Sequence, residues 1–236
     1  MTIIHAISIY PYSGGNAVMH RKPAVTDRMR REKNRRTGEI LQAALKVMLE
    51  KSYTGATMDD IAAGAGITKP TIYQYFRTKD ELFAALIEPL ILSLADKLDA
   101  IRTAVESDKY KSGKKIIRDV YNVYYGTFES DPDLFRLFVI FQQVGMNAGM
   151  SGVAVEKIRE IGGKCFIAGQ SIVSAAVARG LFRKVDVPHT TDFVWGSFWG
   201  IVQVEQNKWG RDGISPYLKP VLKFGENLLI AALVQD

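Results

Sequence analysis

Polar side chains that can hydrogen-bond to nucleic acid are concentrated in one short segment, ITKPTIYQYFRTKDELF, residues 67–83. The candidates are Thr68, Lys69, Thr71, Tyr73 and Gln74. In a helix, Ile72 and Tyr75, three residues apart, lie on one face and leave these polar groups on the other. A single helix is thin enough to enter the major groove, where such groups meet base edges and phosphates. The segment is therefore predicted to bind DNA.

The residues before this segment supply the other half of a helix-turn-helix. Ile61 and Ala65 lie four residues apart on one helical face, and Ala62 is small enough to let a second helix approach closely. Gly66 then stands where the chain must turn, and glycine takes a positive φ at little cost. We therefore expect a helix, a tight turn and the DNA-binding helix, in that order.

Threonines mark the expected starts of three helices. Thr57 precedes a helix that carries Asp60 at its third position, which is the pattern of an N-cap with an acidic first turn. Thr68 is expected to cap the DNA-binding helix, with Pro70 in its first turn, where proline is tolerated. Thr78 opens the sequence TKDE, which resembles a capping box and is expected to begin the next helix.

The same segment carries a family resemblance. ITKPTIYQYFRTKDELF closely resembles the signature of the tetracycline-repressor (TetR) family of bacterial regulators, over its recognition helix and the start of its fourth helix. The apolar pattern from Ile40 to Leu49 resembles the first helix of the family, so the match is specific over about residues 33–86. The resemblance implies an all-α fold of about nine helices, with an N-terminal helix-turn-helix domain and a larger helical domain for ligand binding and dimerisation.

The resemblance also implies roles for the residues of the motif. Thr57, Tyr73 and Lys79 match positions that commonly contact the phosphate backbone in this family. The recognition-helix positions that face the groove correspond to Thr68, Lys69, Pro70 and Thr71. The alternative for the aromatic residues is packing inside the small domain, which we expect for Tyr75 and Phe76 but not for Tyr73.

The excess positive charge of the chain lies in its N-terminal third. The 236 residues carry a net charge of +6; residues 1–80 contain 13 Lys and Arg against 7 Asp and Glu, while the remainder contains 18 of each. Attraction to phosphates is the direct use of this asymmetry. The basic arm that contains Arg28, Arg30 and Arg31 is expected to coat phosphates or to enter a minor groove, and the alternative is a solvated tail without function.

Charge and helix-breaking residues divide the chain into three parts. Residues 1–25 are expected to be a disordered extension, 26–80 the DNA-binding domain and 81–236 the ligand-binding and dimerisation domain. The first helix is expected over about 33–51, and the fourth helix continues to about Val105. Further helices are predicted at about 112–130, 132–145, 152–180, 188–209 and 216–234, between breaks made by Gly and Pro.

Large apolar and aromatic side chains are frequent in the middle and later parts of the chain. Most of them are expected to form the core of an all-helical domain. Regulators that resemble this family hold an apolar ligand between such helices, and methionine and aromatic rings give adaptable walls. The predicted ligand-binding residues are Tyr121, Tyr125, Phe128, Phe138, Gln142, Met146, Trp195 and Trp199. A small, largely apolar ligand is expected, because no cluster of acids that would hold a strongly cationic ligand is evident.

Small residues recur in the last long helices. They are Ala168, Gly169, Ser171, Ser174, Ala175, Ala176, Ala178, Gly196, Ser197 and Gly200. Such residues let helices approach closely, either in a four-helix dimer interface or inside one subunit. With the family resemblance, a homodimer is the prediction. A two-fold dimer implies a palindromic operator with half-sites about a helical turn or more apart.

Enzymatic function is not predicted. His5, His20 and His189 are scattered, and the sequence has no Cys/His metal spacing, phosphate loop or nucleophile elbow. Neither a metal nor a cofactor is therefore expected. The single cysteine, Cys165, excludes an internal disulfide and fits the cytoplasm, and no run is expected to approach the ~20 apolar residues of a membrane span.

These observations together predict a dimeric repressor that binds double-stranded DNA at a palindromic operator and is released by a small-molecule inducer. One alternative is a regulator of the same kind that lacks a small-molecule inducer. Another, from a different class, is a small-molecule-binding protein with a vestigial helix-turn-helix.

Overall fold

The computed structural model of the chain describes residues 23–144, 152–209 and 213–235. Nine helices make up the regular structure of these residues. They are α1 (Pro23–Gly55), α2 (Met58–Gly64), α3 (Lys69–Tyr75), α4 (Lys79–Glu106), α5 (Gly113–Ser130), α6 (Pro132–Val144), α7 (Gly152–Ala178), α8 (Val187–Trp209) and α9 (Leu218–Leu233). The described ranges contain no strand, only an isolated bridge between Phe182 and Val234. The predicted all-α fold is confirmed, and the predicted ends of α5 to α9 agree with the observed ends to within two residues.

α1 begins at Pro23, ten residues before the predicted start, so the basic arm is a helix and not a separate segment before one. Its acidic side chains form ion pairs with arginines one helical turn away. The Arg30 guanidinium, for example, lies 3.3 Å from the Asp27 carboxylate. Pairs at this spacing stabilise an exposed helix, which a count of charges does not reveal. Of the predicted extension, 1–25, residues 1–22 lie outside the described residues.

The helical path of α1 is interrupted near its end. Ser52 has φ 63° and ψ 166°, a region of backbone space that favours glycine. The next residue, Tyr53, is buried, and its hydroxyl donates to the Asp80 carboxylate. Its ring packs edge-on against Phe83, with the ring centroids 5.2 Å apart. These contacts fix the end of α1 against the start of α4.

The helix-turn-helix forms as the sequence predicts. The Asp60 N–H donates to Thr57 Oγ1 at 3.1 Å and the Thr57 N–H donates to Asp60 Oδ2 at 3.1 Å, so α2 begins with a complete capping box. In the turn that follows α2, Gly66 has φ +64°. Ile61 and Ile72 are fully buried, and α2 packs against both α1 and α3.

The described residues form two compact units. The first contains the described residues up to Leu90 together with those of Asp133–Ile158. The second contains Ile91–Pro132 with the described residues of Arg159–Asp236. The helix-turn-helix lies in the first unit. In the second unit, α9 packs against α5 and α8, and Phe198 of α8 is fully buried.

α7 contains one stretch, Glu156–Ala178, that is long and apolar enough to cross a membrane by length and composition alone. This finding corrects the expectation that no run approaches that length. Ile172 and Ala176 of the stretch are buried in the second unit, and a core helix passes the same test of length and composition.

Candidate nucleic-acid interface

α3 and its N-cap divide their side chains between solvent and core. Thr68, Lys69, Pro70, Tyr73 and Gln74 are exposed, whereas Thr71 and Tyr75 are half-buried. Ile72 is fully buried and Phe76 is 6% exposed, whereas Tyr73 is 42% exposed. α3 therefore presents hydroxyl, amine and amide groups to solvent while one isoleucine anchors it in the core. These groups are suited to the base edges and phosphates of a duplex.

Hydrogen bonds order part of this surface. Thr68 occupies the N-cap position of α3, but its hydroxyl pairs with the Thr71 hydroxyl at 2.8 Å and makes no cap bond. The expected capping by the Thr68 side chain is thus wrong. The reason is that Pro70 has no N–H to offer, while the Thr71 N–H donates to the Thr68 carbonyl at 3.0 Å. The position of Pro70 in the first turn is confirmed.

Lys69 is a cation on this surface, and it is paired. Its ammonium lies 2.9 Å from Asp59 Oδ2, in the first turn of α2. The hydrogen bond to Asp59, followed by the attraction of that charge, raises the pKa of Lys69. Both side chains remain more than half exposed, at 62% and 58%. The sequence does not reveal this pairing, because ten positions separate Asp59 from Lys69 and only the packing of α2 on α3 brings them together.

Lys79 is engaged inside the unit. Its ammonium donates to the carbonyls of Tyr53 at 2.7 Å and Ala56 at 2.9 Å, at the end of α1. It also lies 4.6 Å from the centroid of the Tyr53 ring, and burial lowers its pKa. The phosphate contact predicted for Lys79 stays a prediction. The structure adds an internal role, in which Lys79 ties α4 to the end of α1.

Thr57 and the basic segment of α1 complete the predicted set. Thr57 is exposed although its hydroxyl serves the capping box of α2. Arg28, Arg30 and Arg31 are exposed as well, on the first turns of α1. Their guanidinium groups are accessible to a phosphate backbone.

The second unit contains an apolar cavity of ≈ 20 Å³, about the space that one water molecule needs. Its walls include Ile117 and Val120 of α5, Ile172 of α7 and Val194 of α8. Tyr124 also lines it and is 5% exposed, and burial raises the pKa of its phenol. Within the described part of the chain, the Tyr124 hydroxyl has no hydrogen-bond partner. Sequence analysis missed Tyr124, which only the fold distinguishes from its tyrosine neighbours.

The predicted polar ligand contacts lie away from this cavity. The hydroxyls of Tyr121 and Ser197 are 2.9 Å apart, which joins α5 to α8. The Tyr125 hydroxyl donates to Glu129 Oε1 at 3.0 Å, and the Lys219 ammonium lies 5.0 Å from the centroid of the Tyr125 ring. Both tyrosines are therefore engaged in contacts between or along the helices.

The predicted aromatic contacts are also outside the cavity walls. Trp195 stacks on Trp199, with ring centroids 6.3 Å apart. Phe128 is buried in the second unit and Phe138 in the first. Met146 and the side chain of Gln142 lie outside the described residues. The ligand-binding roles of these residues stay predictions.

α8 and α9 leave large apolar side chains in solvent. They are Phe193 and Val204 of α8, 65% and 52% exposed, and Phe224 and Leu228 of α9, 65% and 57% exposed. On α8, a Cβ added at Gly196 or Gly200 would meet nothing within 4 Å, so the backbone is open there. A second helical surface could therefore approach this face closely.

Three of the small residues of α7 pack inside the chain instead, whereas Ser174 and Ala178 are exposed. Ala168, Gly169 and Ala176 are buried. A Cβ added at Gly169 would lie 2.9 Å from Cγ2 of Thr191, so Gly169 lets α7 and α8 approach each other closely. For these three residues the alternative of packing within one subunit is therefore the one observed.

Comparison with known proteins adds a family match. The model described as bacterial regulatory proteins, tetR family, matches residues 40–86, from α1 into α4. The transcriptional activator FasR of Mycolicibacterium smegmatis is 30% identical over 126 residues, which is 53% of this chain and 51% of FasR. The chain thus spans about half the length of this curated relative.

Solved structures share the fold over most of the chain. The ketosteroid transcriptional regulator KstR2 of Mycobacterium tuberculosis aligns with a TM-score of 0.65 and 18% identity, over 85% of this chain and 96% of KstR2. The transcriptional regulator FadR from Bacillus subtilis, in complex with stearoyl-CoA, aligns with a TM-score of 0.58 and 21% identity, over 82% of this chain and 97% of FadR. At these identities the likeness shows a common fold.

Proposed function

Because the chain belongs to the TetR family of bacterial regulatory proteins, we propose that it is a cytoplasmic, dimeric regulator of transcription. It binds a palindromic operator through its helix-turn-helix, and a small, largely apolar ligand releases it. Repression is the proposed sense of control. FasR is named as an activator, so repression and activation must be distinguished by experiment. The measurement is the expression of a reporter gene placed under the operator, with and without the protein.

The exposed surface of α3 is the observation that carries the proposal. Ile72 holds the helix in the core, so the side chains of the other face are free to meet a duplex. Thr57 and Tyr73 are suited to phosphates, because a hydroxyl can donate to a phosphate oxygen. Thr68, Thr71 and Lys69 are suited to base edges, and Pro70 offers only apolar contact, for example with a thymine methyl.

The helical form of the basic segment favours one of its two predicted uses. A helix is about 10 Å wide, whereas the minor groove is about 6 Å wide, so the segment does not fit into that groove as an extended arm would. We therefore assign Arg28, Arg30 and Arg31 to phosphates. Neutralising all three is expected to weaken binding to all sequences alike and to lower the slope of log K against log salt by about 0.9 per lost contact.

The exposed apolar face of α8 and α9 supports dimerisation. Phe193, Phe224 and Leu228 would be buried if the same face of a second copy packed against them, giving a four-helix interface. The test is sedimentation of wild type and Phe224→Glu, because a buried carboxylate opposite its own copy is strongly unfavourable. A dimeric wild type and a monomeric variant are expected. A monomeric wild type would refute the proposed dimer.

The apolar cavity of the second unit supports a ligand that is mainly hydrocarbon. Its walls are mostly aliphatic, with Phe182 and Thr191 also among them, and the Tyr124 hydroxyl supplies one polar group that a ligand can bond. At ≈ 20 Å³ the cavity must widen to admit a ligand, so the ligand selects a different packing of these helices. If that packing disfavours DNA binding, the DNA complex must in turn bind the ligand more weakly.

The test of DNA binding is fluorescence anisotropy with the DNA that lies upstream of the protein's own gene. A salt-sensitive complex that survives an excess of unrelated duplex is expected. Thr71→Ala and Tyr73→Phe are expected to weaken it, whereas Asn207→Ala, an exposed change in α8, leaves it unaltered. A wild-type protein that discriminated no duplex from any other would refute the proposal, and would favour a ligand-binding protein with a vestigial helix-turn-helix.

A further inference from the structure

An acidic side chain, Asp59, lies beside the proposed DNA-binding groups. It belongs to the first turn of α2, two residues after Thr57, and its side chain is 58% exposed. A carboxylate close to a phosphate backbone is repelled by it, whatever the base sequence. Asp59 therefore opposes DNA binding in general. As an acid in the first turn it suits the positive end of α2, and its contact with a neighbour offers a second use.

That neighbour is Lys69 at the start of α3. Its ammonium lies 2.9 Å from Asp59 Oδ2, so the carboxylate holds the end of a long, flexible side chain. An untethered lysine behaves as a mobile point charge that can meet any nearby phosphate. Phosphate contacts carry no sequence information, whereas contacts to base edges do. The tether therefore bears on selectivity more than on affinity.

Resting on the proposed function, we propose that Asp59 is a positioning residue that keeps Lys69 off the phosphates and holds it towards the major-groove edge of one guanine in each half-site. Guanine presents two acceptors there, O6 and N7, and an ammonium group can only donate. Adenine presents a donor beside its N7, which an ammonium cannot satisfy. Thymine presents one acceptor, O4, so an ammonium that donates two hydrogen bonds favours guanine.

A second ion pair in the same unit supplies the matched control. The Lys51 ammonium lies 2.6 Å from Asp60 Oδ1, and Lys51 belongs to α1, not to α3. Lys51→Met removes a lysine charge and an ion pair from the first unit, as Lys69→Met does. It leaves Lys69 and Asp59 in place, so it measures the general effect of losing one positive charge.

The experiment is selection of bound DNA from a library of random duplexes. It is run in parallel with wild type, Asp59→Asn, Lys69→Met, the double variant and Lys51→Met. We expect wild type to enrich a palindrome with one guanine per half-site whose preference Lys69→Met abolishes, a loss of about tenfold. Asp59→Asn is expected to weaken the preference at that same guanine, and Lys51→Met to keep it.

Salt dependence on the duplex that wild type recovers gives the second readout. In Asp59→Asn the released Lys69 binds phosphate, so the slope of log K against log salt is expected to steepen by about 0.9 per subunit. The double variant is expected to match Lys69→Met in both base preference and slope. Circular dichroism of each variant establishes that the helices are retained.

Three outcomes overturn the inference while leaving the regulator intact. One is a guanine preference that survives Lys69→Met. Another is a guanine preference that Asp59→Asn leaves unchanged. The third is a change in guanine preference or salt slope on Asp59→Asn that is equally large in the Lys69→Met background. A wild-type selection that enriches no sequence removes the proposed function itself, and the inference with it.

Discussion

The helix-turn-helix and the helices of the second unit use polar side chains in opposite ways. In the former, Lys69 and its neighbours lie in solvent, and Ile72 is buried. In the second unit Glu205 is 2% exposed, and it pairs with Lys208 at 2.7 Å. Glu226 is 7% exposed, and it accepts a hydrogen bond from Arg118, which lies 108 positions away in the chain. Exposed groups of one short helix thus form the surface for DNA, whereas each buried carboxylate has a cation close by, which for Glu226 includes one from another helix.

The largest expected effect tests whether aromatic packing holds the second unit together. Phe198 is fully buried, and its ring centroid lies 5.3 Å from that of Tyr124 and 6.0 Å from that of Tyr121. Phe198→Ala leaves a cavity and is expected to lower the free energy of unfolding by about 3–5 kcal/mol, measured by urea denaturation. Asn207→Ala, exposed on the same helix, should cost less than about 0.5 kcal/mol. Equal losses would contradict this view of the unit.

Lys79 tests whether the first unit depends instead on a polar contact between helices. Lys79→Met removes the bonds to the carbonyls of Tyr53 and Ala56, and is expected to lower the free energy of unfolding by about 1–2 kcal/mol. Thermal and urea denaturation measure the loss. Lys46→Met, an exposed change on α1, is the control and should be nearly neutral. A loss no larger than that of the control would show that the contact does not stabilise the unit.

Ser52 carries backbone strain at the end of α1. At φ 63° and ψ 166° a serine is strained, and glycine is not, so Ser52→Gly is expected to raise the free energy of unfolding by about 1 kcal/mol. Both variants lose the 3.1 Å contact between the hydroxyls of Ser52 and Thr54, but Ser52→Ala keeps the strain. It should therefore be the less stable variant of the two. The reverse order in urea denaturation would refute the argument from strain.

The smallest effect concerns pH. The hydrogen bond from Lys208, and then that from Ser215, lowers the pKa of Glu205 below its ordinary value of 4.5. The carboxylate therefore contributes stability that is present above pH 4.5 and is lost as pH falls through the lowered pKa. Wild type is expected to exceed Glu205→Gln in stability at pH 7, by a margin that narrows below pH 4.5. A margin that is independent of pH in thermal unfolding would contradict the assignment.

The parts of the fold that could be predicted are those that local sequence signals determine. Glycine and proline breaks placed the ends of α5 to α9, and apolar spacing placed Ile61 and Ile72 in the core. These signals act over a few residues and are visible in the sequence. The start of α1 at Pro23 differs from the predicted start, because the basic residues alone indicate an arm, whereas their acidic partners at helical spacing support a helix.

Contacts between elements could not be predicted. The pairing of Lys69 with Asp59 depends on how α2 meets α3, and the engagement of Lys79 depends on where α1 ends. In the second unit, residue types favoured Tyr121 and Tyr125, whereas Tyr124 is the tyrosine in the cavity wall. The three residues are chemically alike, and only the packing of α5 against its neighbours separates them.

Footprinting on the DNA upstream of the protein's own gene tests the central claim most directly. If the exposed surface of α3 enters the major groove once in each half of a dimer, two protected segments related by a dyad should appear, about one helical turn or more apart. Thr71→Ala combined with Tyr73→Phe should erase both segments together. Uniform cleavage along the duplex with wild-type protein, at salt where the helices are intact, would contradict the account.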